Sequence, residues 1–251
     1  MATKVFKKIP EQVESLEEIP FWAADNPDTY RRFKTRSTNP DYKGYKQRVA
    51  YKRAHNRTDL IEGRENLREG IYNQYKDNFK FVPGRPTVNF VFGNGGTGKS
   101  TFLRKNNLNG MLVDADEFKN LIPEYQKDRE MVSAVHEESS NLKKRLVNEI
   151  IEKAKKGESG IYNYPKVEPS EKELKALKDA GFQINAYYLH APKEKSQFGN
   201  YMRYENGGRA VPSDIYQDEN DLRKAVERLM QYYDTYQAID YTDWNDPKPL
   251  K

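Results

Sequence analysis

Along the last two thirds of the chain, segments with the hydrophobic pattern of a strand alternate with segments that have the pattern of a helix. The short apolar, β-branched run Thr87–Phe92 predicts a buried strand, and the residues that follow predict a helix from Lys99. The same patterns predict three further strands and two further helices, namely strands Met111–Val113, Ile161–Tyr162 and Ile184–Leu189, a long helix ending by Lys156, and helix Glu171–Ala180. Strands interleaved with helices indicate an α/β fold with a parallel sheet flanked by helices, and such sheets bind ligands at the carboxyl ends of their strands.

The chain before residue 87 has a different pattern. The sequence "VPGRP" at residues 82–86 interrupts it just before the first strand, and the upstream residues 11–80 form polar helical segments with scattered aromatic side chains. Within "LIEGRENLREGIYNQY", helical spacing puts five apolar side chains roughly along one face, although Gly63 and Gly70 weaken the helix: Leu60, Ile61, Leu67, Ile71 and Tyr72. We predict a helical, basic N-terminal extension at residues 1–86 and an α/β domain at residues 87–251.

A phosphate-binding motif lies between the first strand and the first helix. The sequence "GNGGTGKS" at residues 93–100 matches G-x-x-x-x-G-K-[ST]. Its glycines let backbone N–H groups turn toward a phosphate, Lys99 reaches the outer phosphates, and the Ser100 hydroxyl is placed for Mg²⁺. A chance Gly-rich turn is the alternative, but the flanking strand and helix argue against it. We assign ATP binding to the loop and the start of its helix: Gly93, Asn94, Gly95, Gly96, Thr97, Gly98, Lys99, Ser100 and Thr101.

Acidic and basic residues elsewhere complete a kinase-like set. The second strand ends in Asp114 and Asp116, where a carboxylate can accept the proton of an attacking hydroxyl or hold Mg²⁺. Either residue can instead simply cap the following helix, and the two roles are compatible. Arg203, on a predicted helix, and Arg209, on the turn after it, could converge on a transferring phosphate or could be ordinary surface charges.

In these segments the chain resembles the zeta-toxin family of P-loop kinases. Four short motifs match in order and approximate spacing, over about residues 87–230: "GNGGTGKS", "DADEFK", "RYE" at 203–205 and "RAVP" at 209–212. The resemblance implies that Lys99 and Ser100 bind ATP·Mg²⁺ and that Asp116 is the catalytic base. From its position at the end of the second strand, we assign Asp114 to magnesium. The resemblance also implies that Arg203 and Arg209 stabilise the transferring phosphate. Family toxins phosphorylate the 3′-hydroxyl of UDP-N-acetylglucosamine, and a small helical antitoxin blocks their nucleotide site.

The acceptor side departs from the family. Where the toxins carry Glu-Gly-Thr after the third strand, this chain has "YNY" at residues 162–164. We expect acceptor contacts from Glu137 and Glu138, near the start of the long helix, and from Asn163 on the third strand. The identity of the acceptor hydroxyl stays open at this stage.

A basic stretch in the N-terminal extension suggests a second acceptor class. Between Arg31 and Arg57 there are ten Lys or Arg residues, interleaved with aromatic side chains, and only Asp41 opposes them, in a chain whose formal net charge is +5. Phosphate contacts and stacking faces together suit single-stranded nucleic acid, although a solvated helical face is an equal alternative.

Composition limits the remaining classes. The chain has 251 residues and no cysteine, so disulfides and thiolate sites are excluded, and no stretch has the apolar length of a membrane span or a signal peptide. We therefore expect a cytoplasmic protein without a membrane partner, acting as an ATP- and Mg²⁺-dependent kinase on a hydroxyl of a nucleotide-type acceptor. The alternatives are a kinase for nucleic-acid hydroxyls and a nucleotide-binding interaction module without turnover. An antitoxin-like protein is a further expected partner.

Overall fold

The computed structural model describes residues 64–77, 85–133, 135–206, 216–243 and 245–250, together with Thr29 and Val211. The predicted basic stretch between Arg31 and Arg57 and the apolar residues Leu60 and Ile61 lie outside these ranges. Among the described residues, no helix combines the length and the apolar character needed to cross a bilayer.

Within the described part of the chain, six strands form one sheet in the order β2-β3-β1-β4-β5-β6. The strands are β1 Thr87–Phe92, β2 Met111–Leu112, β3 Ile161–Lys166, β4 Gln183–His190, β5 Thr235–Asp240 and β6 Lys248–Pro249. The first five run parallel and β6 is antiparallel to β5. The prediction of a mostly parallel α/β sheet is confirmed.

The described helices surround this sheet. They are α1 Arg64–Lys76, α2 Lys99–Lys105, α3 Ala115–Leu121, α4 Pro123–Lys127, α5 His136–Lys155, α6 Glu171–Asp179, α7 Lys193–Glu205 and α8 Glu219–Glu227. Two short 3₁₀ segments, Arg129–Ser133 and Met230–Tyr232, join them. Strand β1 and the start of α2 lie where the sequence predicts them, whereas β3 extends past its predicted end at Tyr162 to Lys166.

Each face of the sheet carries its own apolar core. On one face, Val88 and Phe90 of β1 pack with Tyr164 of β3 and with the apolar side of α5, which includes Leu142 and Leu146. The other face is smaller, and its core consists of Val91, Phe102, Leu103, Leu189 and Tyr241. Because both faces are covered, β1 is mostly apolar and all but its first residue are buried, as expected for a central strand of a parallel sheet.

Helix α1 lies before the predicted domain boundary at residue 86 and packs into the same core as the α/β elements. Ile71 and Tyr72 are 3% and 1% exposed within that core. The Tyr75 ring centroid lies 4.5 Å from that of Phe118 on α3, and the Tyr75 hydroxyl donates to the Leu112 carbonyl. Helix α1 therefore braces β2 and α3, and the division into residues 1–86 and 87–251 stays a prediction.

Candidate active site

The carboxyl ends of three neighbouring strands meet at one edge of the sheet. The Gly93 N–H, just after β1, donates to the Val167 carbonyl just after β3, with an N···O distance of 3.3 Å. The Val113 N–H, just after β2, donates to the Asn163 carbonyl of β3 at 2.7 Å. This edge therefore brings the phosphate-loop motif and the Asp114–Asp116 segment together around the end of β3.

The loop after β1 has a backbone that glycine alone adopts easily. Gly96 and Gly98 have φ angles of 84° and 91°, and a Cβ on Gly96 would lie 2.1 Å from the Ser196 carbonyl oxygen. The N–H groups of Gly96, Gly98 and Lys99 have no acceptor among the described residues. Because these donors precede and begin helix α2, the loop forms a cradle suited to phosphate oxygens.

Two asparagines hold this cradle against the far end of the chain. The Asn94 side chain donates to the Gln217 carbonyl at 2.9 Å and accepts from the Gln217 N–H at 3.0 Å. The Asn200 amide of α7 donates to the Gly95 carbonyl at 3.1 Å. Asn200 and Gln217 are absent from the sequence prediction, since no local pattern links them to a loop about a hundred residues earlier.

Lys99 lies at the centre of the charged groups. Its Nζ donates to the carbonyls of Gly93 and Asn94 at 2.8 Å and 2.7 Å. Burial lowers the pKa of Lys99 to about 8, while the charges of Asp114 and Asp116 oppose that shift and the charge of Arg203 adds to it. The charges of Asp114, Asp116 and Arg203 therefore lie close enough to Lys99 to affect its protonation.

The two acidic residues after β2 are held in different ways. Asp114 caps helix α3, because its Oδ1 accepts the Asp116 N–H at 3.0 Å, so the capping alternative is observed. Burial, helped by the charge of Asp116, raises the pKa of Asp114. The Asp116 carboxylate accepts from the Lys119 ammonium at 2.6 Å, and Lys119 is 2% exposed.

Lys119 is a site residue that the sequence analysis missed. It follows Asp116 by three positions, a spacing that puts two side chains on the same side of a helix, so the signal was present in "DADEFK". A buried cation at this distance favours the ionised form of the carboxylate and fixes its position.

Only one of the two arginines predicted to stabilise the transferring phosphate lies among the described residues. Arg203 is exposed on the last turn of α7, and its charge reaches Lys99. Arg209 lies outside the described residues. Thr101, the last residue assigned to ATP binding, occupies the first turn of α2 beside Ser100.

The three predicted acceptor contacts are not gathered in one place. Glu137 is exposed at the start of α5, while Glu138 is buried beside it. The Glu138 carboxylate accepts from the Arg64 and Arg68 Nε atoms, both at 2.9 Å. Asn163 donates to the Leu108 carbonyl, and its Oδ1 accepts from Asn89.

The protein supplies only some of the oxygen ligands that a divalent cation needs. The described residues contain no group of three His, Cys, Asp or Glu side chains able to hold a metal. Ser100 is exposed on the first turn of α2, and Asp114 uses Oδ1 for the helix cap, which leaves Oδ2 for a further ligand. Hydroxyl and carboxylate oxygens fit Mg²⁺, provided that bound phosphates supply its other ligands.

A family model described as zeta toxin matches residues 72–247. The chain belongs to the zeta toxin family. This zeta toxin family member also resembles a solved structure from work on the PezAT chromosomal toxin-antitoxin system of Streptococcus pneumoniae, with 16% identity and a TM-score of 0.54 over 71% of this chain and 77% of that chain.

A second solved structure, AvrRxo1-ORF1:AvrRxo1-ORF2 with sulphate ions, gives 18% identity and a TM-score of 0.59 over 75% of this chain and 67% of that chain. At these sequence identities, the comparisons show that the two solved structures and this chain share a fold. No curated protein matches the sequence. The family and the fold together support a P-loop kinase or phosphotransferase.

Proposed function

We propose that this zeta toxin family member is an ATP-dependent kinase that transfers the γ-phosphoryl group to a hydroxyl of a nucleotide-type acceptor. By family resemblance the acceptor is a nucleotide-sugar such as UDP-N-acetylglucosamine. One observation carries the proposal: the phosphate loop and the Asp114–Asp116 segment meet at the carboxyl ends of β1, β2 and β3, where their charges act on Lys99. A protein that only binds nucleotides needs the loop but not the acidic and basic groups around it.

The donor phosphates bind in the loop. The unpaired N–H groups of Gly96, Gly98 and Lys99 donate to phosphate oxygens, and the Lys99 ammonium exchanges its carbonyl acceptors for the outer phosphates. Arg203 and Arg209 then balance the charge that spreads over the transferring group. Ser100 and Asp114 would hold Mg²⁺, which would supply positive charge to the donor phosphates.

Asp116 removes the proton from the acceptor hydroxyl. The hydroxyl oxygen forms the new P–O bond, the bond to the ADP oxygen breaks, and the hydroxyl proton passes to the Asp116 carboxylate. Lys119 holds Asp116 in place, and Asp114 orders the same turn through its cap on α3. Helix α1 supports this segment through the contact of Tyr75 with Phe118.

The PezAT structure comes from work on a toxin-antitoxin system. On that ground we extend the proposal to an antitoxin-like protein partner for this chain. We also place the reaction in the cytoplasm, where ATP is available to the protein.

The test is a transfer assay with γ-labelled ATP and a panel of acceptors. The panel contains nucleotide-sugars, nucleosides, dinucleotides, DNA and RNA, and Lys99→Ala is the control because it removes charge from the cleft without disturbing an apolar core. We expect label on a nucleotide-sugar with the parent protein and none with Lys99→Ala. Label on DNA or RNA would favour the nucleic-acid alternative, and ATP binding without label on any acceptor would favour the interaction module.

A further inference from the structure

A pair of lysines lies beside the candidate active site and has no role in the donor chemistry. The Nζ atoms of Lys143 on α5 and Lys166 at the end of β3 each lie 5.1 Å from the centroid of the Tyr164 ring. The Tyr164 ring stacks on Phe90 at a centroid distance of 5.1 Å, so the core fixes its position. Two ammonium groups are thus gathered around one rigid aromatic side chain.

Only one of the two lysines has a carboxylate partner among the described residues. Lys166 forms an ion pair with Glu173, which also accepts a hydrogen bond from the Tyr164 hydroxyl at 2.7 Å. Lys143 has no hydrogen-bond or ion-pair partner among the described residues. Burial and the neighbouring charge of Lys166 lower the pKa of Lys143, while the charges of Glu173 and Asp114 oppose that shift. Around the Tyr164 ring, two ammonium groups thus accompany one carboxylate that is in direct contact with either of them.

The two lysines also lie near the edge of the sheet at which the proposed acceptor would bind. Lys166 is the last residue of β3, next to Val167, whose carbonyl accepts the Gly93 N–H of the phosphate loop. Lys143 and Asp114 are close enough for each charge to affect the pKa of the other. An acceptor whose hydroxyl reaches Asp116 can therefore extend another group toward Lys143.

We propose that Lys143 and Lys166 form an anion-binding subsite that holds a phosphate group of the acceptor while its hydroxyl faces Asp116. This inference rests on the proposed kinase function and narrows its acceptor to a phosphate-bearing molecule. Asp114 and Asp116 repel such an acceptor, and the unpaired Lys143 charge offsets that repulsion. A charge-assisted N–H···O bond replaces the missing partner of Lys143.

The test measures binding to the second site, separately from transfer. The donor site is first filled with a non-hydrolysable ATP analogue and Mg²⁺, and calorimetry then follows binding of uridine, UDP, UDP-N-acetylglucosamine and inorganic pyrophosphate. We expect the phosphate-bearing probes to bind the parent protein, with UDP at least roughly tenfold tighter than uridine. Lys143→Gln should lose most of that advantage, whereas Lys143→Arg should keep it.

Lys144→Gln is the matched control, because Lys144 is the next residue on α5 and is exposed. It should bind every probe as the parent does, and thermal melting checks that each variant is folded. Two results overturn the subsite: no phosphate-bearing probe binds the parent beside the ATP analogue, or Lys143→Gln binds UDP as tightly as the parent. Binding at the second site without transfer of label would keep the subsite and reject the kinase. Transfer of label that is independent of Lys143 would keep the kinase and reject the subsite.

Discussion

The donor half and the acceptor half of this cleft use different parts of the polypeptide. Under the proposed function, the phosphate loop recognises the donor through backbone N–H groups and positive φ angles at Gly96 and Gly98, all within eight consecutive residues. The acceptor side depends on long side chains from separate elements, such as Lys143 on α5 and Lys166 on β3. Backbone recognition needs residue types at fixed spacing, so it leaves a local motif, whereas side-chain recognition across elements leaves none.

The structure also separates acidic residues that look alike in the sequence. Asp116 faces the cleft with a buried lysine at 2.6 Å, whereas Glu138 points into an ion pair with Arg64 and Arg68 of α1. Both are acidic and both lie near a helix start. What distinguishes them is the cation beside each one and the element that supplies it.

The largest expected effect is on the base. Asp116→Asn keeps the side-chain shape but cannot take a proton, so kcat should fall by roughly two to four orders of magnitude with ATP affinity nearly unchanged. The measurement is steady-state kinetics with the acceptor found in the panel, together with ATP binding. Asp114→Asn is the matched variant, and a much larger loss of kcat there than in Asp116→Asn would reverse the two roles.

The difference between local patterns and long-range contacts also explains which strands and helices the sequence predicts. Strand β1 is mostly apolar and α2 follows a motif, so their positions are predictable. Strand β5, "TYQAID", has no fully buried position and mixes polar with apolar residues, so its hydrophobic pattern is weak. Its place in the sheet comes from pairing with β4, which is a long-range contact that local periodicity does not encode.

Prediction of the candidate site is limited in the same way, by contacts between distant parts of the chain. Lys99, Asp114 and Asp116 come from local spacing or from family motifs, and the structure brings all three together with Arg203. The partner of Glu138 is Arg64, 74 residues earlier, and only the packing of α1 on α5 reveals it. Apart from Lys119, the residues that sequence reasoning missed are those whose role depends on a neighbouring element.

Glu138→Gln tests whether this carboxylate holds the fold or the acceptor. Glu138 and Arg64 have side chains only 5% and 7% exposed, so removing the charge takes one carboxylate away from a buried guanidinium that also pairs with Glu124. We expect the free energy of unfolding to fall by about 3 kcal/mol, measured by urea titration. Glu137→Gln, at the exposed neighbouring position, should change stability little. Unchanged stability with a raised acceptor KM in Glu138→Gln would instead make it an acceptor contact.

The pH dependence of ATP binding sharpens the account of the donor half. Burial lowers the pKa of Lys99 to about 8, so below that pH the lysine carries the charge that phosphates need, and above it the free protein loses that charge. ATP affinity should therefore fall as pH rises through about 8, by up to about tenfold per pH unit, and binding at higher pH should take up a proton. Calorimetry in buffers of different ionisation enthalpy measures both effects. Lys99→Arg stays charged throughout and should bind without this pH dependence. A flat profile for the parent would show that Lys99 keeps its proton.

The smallest effect is expected from the basic stretch between Arg31 and Arg57, which lies outside the described residues. If the acceptor is a nucleotide-sugar, few phosphates are contacted, so acceptor affinity should depend weakly on salt and should change little when Arg31, Arg32, Lys34 and Arg36 are replaced by Glu. A single-stranded DNA or RNA acceptor requires the opposite, because each phosphate contacted adds to the slope of log affinity against log salt concentration. Titrating short DNA, RNA and UDP-N-acetylglucosamine across salt concentrations, with the parent and the charge-reversed variant, separates the two. A steep slope for a strand, lost in the variant while ATP binding is retained, would move the acceptor site away from Lys143 and Lys166 and toward the N-terminal extension.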